Sequence, residues 1–109
     1  MPFSEYMKEE TEEAFQRPRA GDRFTEMYAF WVYVLRVHDG VVTIMEANPP
    51  CELPRDGKVC ALTIYAFRQR YAYKSIPGYS VRLVDRNNDV SGWIPKRVGK
   101  LEDSYDYQI

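Results

Sequence analysis

Residues that build catalytic and metal centres are scarce in this chain. His38 is the single histidine, and Cys51 and Cys60 are the only cysteines. A structural zinc site needs four such donors, usually in close pairs, so Cys and His alone cannot assemble one within a subunit. The two cysteines stand nine positions apart around a proline-rich loop and lack CxxC spacing. Two reduced thiols, one in a loop and one in a strand, are expected in an intracellular context, with a disulfide pinching the loop as the alternative. Neither GxxxxGK[ST] nor GxGxxG is present to cradle phosphates. The longest apolar run, residues 28–35, has the length of a strand and falls far short of the ~20 residues that span a bilayer. The first fifteen residues are polar and acidic rather than basic and then apolar, so no secretory leader is expected. The expected location is cytoplasmic, with no membrane and no small-molecule cofactor.

What the chain does have is aromatic area. Its 109 residues are 45% hydrophobic and 15% aromatic, with nine Tyr, five Phe and two Trp. That suffices for one compact domain with a modest core, not two. Aromatics bury much area per residue, and they also suit a binding face.

Residues 4–15 read as a short helix, with Ser4 as N-cap, Glu5 at the positive end, and Phe3, Met7, Ala14 and Phe15 as a thin apolar stripe. Residues 17–22, Arg-Pro-Arg-Ala-Gly-Asp, break it. Residues 28–38 are dense in β-branched and aromatic side chains and read as a strand. Asp39-Gly40 then tolerates the positive φ angles of a tight type I′ turn, and residues 41–47 return as the second strand of a hairpin. The outgoing strand is apolar on both faces, Phe30, Val32 and Val34 against Trp31, Tyr33 and Leu35. Either a bulge bends it or another element covers its outer face.

Residues 48–57 carry three prolines and form a loop long enough to be functional. Residues 58–62 are a third strand, with Val59 and Ala61 on one face and Cys60 and Leu62 on the other. Thr63 is placed to cap a helical turn over residues 64–71, with Ile64, Phe67 and Tyr71 on one side. Tyr79, Val81 and Leu83 alternate along a last strand that Asn87-Asn88-Asp89 ends. Trp93 and Ile94 are expected to pair back or to pack across an open end. The expected organisation is an acidic helix at 1–16, a small β domain at 17–94 and a polar, acidic tail at 95–109.

This count and order of elements resembles an SH3-like barrel. The resemblance is carried by Gly21-Asp22 before the first strands, the Asp39-Gly40 hairpin and the Thr63 segment before the last strand, and it covers about residues 21–85. It implies a mainly β fold with minor α, a partly open barrel of about five strands. Such barrels bind peptides, nucleic acid or larger proteins, and the fold does not decide among them.

Candidate chemistry is thin. A Ser-His-Asp or Cys-His arrangement would have to use His38, which sits beside a hairpin turn where a solvated side chain is the default. Asp85 and Asp89 lack the alternating ligand spacing of an EF-hand, and turn-forming aspartate is the simpler reading. No catalytic and no metal residue is therefore assigned. A small metal-independent ribonuclease would draw on Arg68, Arg70, Tyr71, Tyr73 and Lys74, which show no convergence on a phosphate in the sequence.

Charge is the most informative feature. The formal net charge of −1 divides into −4 over residues 1–16, +6 over residues 17–100 and −3 over residues 101–109. A basic body lies between acidic ends. Charged termini also keep a small protein soluble, which accounts for part of this. In one functional reading, the acidic segments bind a protein partner that itself handles nucleic acid. Glu5, Glu9, Glu12 and Glu13 on the helix, and Glu102, Asp103 and Asp106 in the tail, would occupy its basic channel, with Tyr105 and Tyr107 as anchors. In size, acidity and lack of catalytic residues the chain resembles phage-encoded inhibitors of nucleases, including Cas effectors. That likeness implies a phage or mobile-element inhibitor. In the other reading the body binds DNA or RNA directly. Arg68, Arg70, Tyr73 and Lys74 interleave cations with aromatics, and Arg82 and Arg86 extend the patch along the outward face of the last strand. A pI of about 5.8 weighs against this second reading, because dedicated nucleic-acid domains are usually basic.

Overall fold

The computed structural model describes residues 3–26, 30–47, 58–72 and 81–93, with side chains given except for 3–8 and 58. Helix α1 (Phe3–Gln16) is followed by strands β1 (Arg23–Glu26), β2 (Phe30–His38), β3 (Val41–Ala47) and β4 (Lys58–Thr63). Helix α2 (Ile64–Phe67) runs into a π-helical turn (Arg68–Ala72), and β5 (Arg82–Asp85) precedes a 3₁₀ turn (Val90–Gly92). The strands form one sheet in the order β4-β3-β2-β1-β5, with every pair antiparallel. The protein is mainly β with an N-terminal helix and one short helical stretch, and it is SH3-like only in this architectural sense. The sheet is not closed into a barrel: β4 and β5 are its two edges. Helices close the core in place of further strand pairing.

The β2–β3 hairpin turns through Asp39 and Gly40 with φ of 50° and 74°, the left-handed pair a type I′ turn requires. Phe30, Val32 and Val34 face one side of the sheet while Trp31, Tyr33 and Leu35 face the other. Both expected explanations for this strand hold together. Its register with β3 shifts between Val34 and Arg36, so a bulge at Leu35 puts Val37 back on the side of Val34. The second face is also covered in part, because Trp93 packs edge-on against Tyr33 at 5.0 Å. Trp93 thus lies on the second face of the sheet rather than pairing back as a strand or capping an open barrel end.

The main core lies on the first face. Phe24, Val32, Val34, Val42, Ile44 and Leu62 from the sheet meet Ala14 and Phe15 of α1 and Ala66, Phe67 and Tyr71 of the α2 segment. Phe15, Phe24 and Phe67 form a ring cluster with centroids 4.8–5.8 Å apart, and truncating one such ring typically costs about 3–5 kcal/mol. The N-terminal helix therefore shares the core of the sheet. It begins at Phe3, which puts Ser4 inside the first turn rather than at the N-cap. Thr63 does cap α2: its Oγ1 accepts the Ala66 N–H at 3.0 Å. Cys60 is a buried cysteine of β4, whereas Cys51 lies outside the described residues, as do residues 48–57, Tyr79, Ile94 and the tail. No described helix is long and apolar enough to cross a membrane.

Candidate interaction surface

Of the expected apolar stripe of α1, Ala14 and Phe15 are buried, while the side chains of Phe3 and Met7 lie outside the described residues. Thr11, Ala14 and Phe15 are buried while Glu9, Glu10, Glu12 and Gln16 are exposed. Two polar contacts hold it flat on the sheet. Thr11 Oγ1 accepts the Leu83 N–H at 2.9 Å in a buried setting, which satisfies a backbone donor of edge strand β5. At the other end, Arg68 donates from Nε to the Phe15 carbonyl at 2.9 Å and from Nη2 to the Gln16 carbonyl at 2.7 Å. These carbonyls belong to the last turn of the helix, where a cation also complements the dipole. The acidic side is thereby presented to solvent on a fixed element.

Glu13 is half-buried and engaged by Arg17, which donates from Nη1 to both carboxylate oxygens at 3.1 and 2.8 Å. Glu9, Glu10 and Glu12 form no ion pair with a described cation. Glu5 lies on α1, but its side chain is outside the description, and Glu102, Asp103 and Asp106 lie outside the described residues. The structure thus brings Glu9, Glu12 and Glu13 onto one helix.

The basic set is dispersed and largely engaged. Arg68 staples α1 to the helical segment. Arg70 reaches Glu46 on β3, Nη2 to Oε2 at 3.2 Å, and its guanidinium lies 5.6 Å from the centroid of the Tyr71 ring. Tyr71 is 3% exposed, packs on Phe30 and Phe67 at 5.5 Å, and donates its hydroxyl to Glu46 Oε2 at 2.5 Å. Burial, and then this carboxylate, push its phenol far above the ordinary tyrosine value. Tyr71 is a core residue rather than a platform for a base.

Arg86 does not share the outward face of β5 with Arg82. It follows the strand and turns onto Asp22, Nε to Oδ1 at 2.8 Å and Nη2 to Oδ2 at 3.2 Å. Asp22 is fully buried and also accepts the Arg19 N–H at 2.8 Å. The turn around it is locked to the loop after β5, because Asn88 donates from its backbone and from Nδ2 to the Gly21 carbonyl at 3.2 and 2.9 Å. Arg23 forms a two-point contact with Asp85 at 3.1 and 2.6 Å. Of the expected basic patch, Arg82 is exposed, and Tyr73 and Lys74 lie outside the described residues.

His38 is exposed and lies 3.2 Å from the still more open Asp39. Asp85 is committed to Arg23 and Asn88. Asp89 accepts from the Ser91 N–H and hydroxyl at 3.0 and 2.7 Å, which holds its carboxyl below the usual value. Among the described residues, no group of three or more His, Cys, Asp and Glu is placed to hold a metal ion.

Sequence reasoning missed Glu46, Asp22 and Tyr65. For the pairing of Glu46 with Arg70 and of Asp22 with Arg86 no local signal existed, because these partners are 24 and 64 positions away. Tyr65 was readable: with Ile64, Phe67 and Tyr71 turned inward, positions 65 and 69 must face out.

No protein-family model, curated protein or solved structure gives a significant match to the chain.

Proposed function

We propose that this chain is a non-enzymatic interaction protein that binds, and inhibits or modulates, a protein partner which itself handles nucleic acid, and that it does so through the acidic side of α1. The supporting observation is how the two charge sets are used. Arg68, Arg70 and Arg86 are engaged by carbonyls and carboxylates inside the fold, whereas Glu9, Glu10 and Glu12 are exposed on a helix that is held in place. Carboxylates spaced along a rigid helix complement a lysine- and arginine-lined groove shaped for a phosphate backbone, and such complementarity raises association rates and excludes wrong partners. The non-enzymatic reading draws on the exposed place of His38 and the burial of Cys60 and Tyr71.

The test compares the wild type with Glu9→Gln/Glu12→Gln in affinity purification from host cells, followed by binding kinetics on the purified partner. The variant should bind at least about tenfold more weakly, mainly through a slower association that salt no longer affects strongly. A partner retained equally by both forms would end this reading. Retardation of DNA or RNA by the purified protein, lost on Arg82→Ala, would replace it with direct nucleic-acid binding. Cleavage of RNA in the absence of metal would replace it with the ribonuclease.

A further inference from the structure

The helical layer over the first sheet face carries an exposed feature in addition to the carboxylates of α1. Tyr65 has 67% of its surface exposed, although its neighbours Ala66 and Phe67 are buried in the core. A single exposed aromatic is ordinary on a protein surface. This one is braced. Gln69, one turn further on, donates from Nε2 to the Tyr65 hydroxyl at 2.9 Å. The turn beneath is fixed by the Thr63 cap, by Phe67 in the core and by Arg68 on the end of α1. The outer side of α1 and the outer side of this segment belong to one layer, joined where Arg68 meets the Phe15 and Gln16 carbonyls. Glu9, Glu12 and Gln16 of α1 and Tyr65 and Gln69 of this segment are all exposed positions of that layer.

Tyrosine gives large amphipathic contact area at low cost in side-chain entropy, and pre-ordering lowers that cost further. Aromatic anchors of this kind dominate interfaces whose surrounding polar contacts are nearly neutral. We propose that Tyr65, held by Gln69, is the aromatic anchor of the partner-facing surface. The occupant is a cationic protein surface in which an apolar recess stands beside lysine or arginine side chains. Charge complementarity with α1 selects it, so the inference rests on the reading of that helix given above.

Two defined probes separate the contributions by calorimetric titration at low and moderate salt: an oligolysine peptide, which offers charge alone, and an amphipathic lysine–leucine helical peptide, which offers charge and an apolar face. Tyr65→Ala should weaken the amphipathic peptide about tenfold or more and leave oligolysine unchanged. Gln69→Ala should weaken the same peptide by a few-fold, because the ring stays but its brace is gone. Circular dichroism should show all variants folded, since both side chains are exposed. Wild-type affinity of Tyr65→Ala for the amphipathic peptide overturns the anchor. Loss with Tyr65→Ala but not with Glu9→Gln/Glu12→Gln keeps the anchor and overturns the acidic helix as the charge partner. Failure of the wild type to bind either probe at low salt overturns both.

Discussion

Arg86→Ala tests the clamp that joins the start of the sheet to its last strand. Asp22 is fully buried and its charge is met by the Arg86 guanidinium at 2.8 and 3.2 Å, itself only 15% exposed at the side chain. Removing Arg86 leaves the carboxylate buried with the Arg19 N–H as its remaining described donor. Breaking a buried pair by deleting one partner costs about 3–5 kcal/mol. A domain of this length has a total stability of roughly 5–15 kcal/mol, so the loss is a large fraction of it. In urea the midpoint should fall by about 2 M, taking a slope of roughly 2 kcal/mol per M. The assay is equilibrium unfolding followed by circular dichroism, with Trp93 and Trp31 fluorescence as a second probe. The double variant Asp22→Asn/Arg86→Leu should recover much of the loss, because the uncompensated charge is gone. A drop below about 1 kcal/mol for Arg86→Ala, with unchanged slope, would refute the reasoning, because the cost of an isolated buried carboxylate would then be absent.

Two further outcomes follow from the same network and its neighbour. Gly21→Ala should abolish or severely weaken folding, measured by thermal unfolding: its φ is +93°, and an added Cβ would lie 2.6 Å from the Asn88 carbonyl oxygen and 2.8 Å from the Asn88 nitrogen. Tyr71 has its folded-state value raised above the unfolded one by burial and by Glu46, so its stabilisation is complete below about pH 10, the ordinary tyrosine value, and is lost as pH rises beyond it. Alkaline titration of stability should accordingly fall less steeply above that pH for Tyr71→Phe than for the wild type, and parallel curves would exclude the buried phenol as the cause.

Local signals carried most of the fold. The left-handed dihedrals at Asp39 and Gly40 and the Thr63 cap are decided within four residues of chain, so their residue types suffice to place them. Period also sufficed to put Val32 and Val34 opposite Tyr33 and Leu35. Sheet closure was not legible, because a barrel and an open sheet covered by helices place the same demands on each strand. Nor were the roles of the arginines. Arg68, Arg70 and Arg86 look alike as surface cations in a basic stretch, and only their acceptors, 24 to 69 positions away, distinguish a staple from a ligand contact.

The sequence by itself determined a mainly β domain, a tight hairpin, an amphipathic acidic helix and a shortage of groups that do chemistry. These follow from composition, period and turn geometry, which act over a few residues. Tertiary structure decided which charges are available. Packing brought Asp22, Glu46 and the carbonyls ending α1 to the arginines, and the same packing left Glu9, Glu12 and Tyr65 facing out. A buried carboxylate or carbonyl needs a donor wherever the chain can supply one, and that pairing is settled only once distant segments meet.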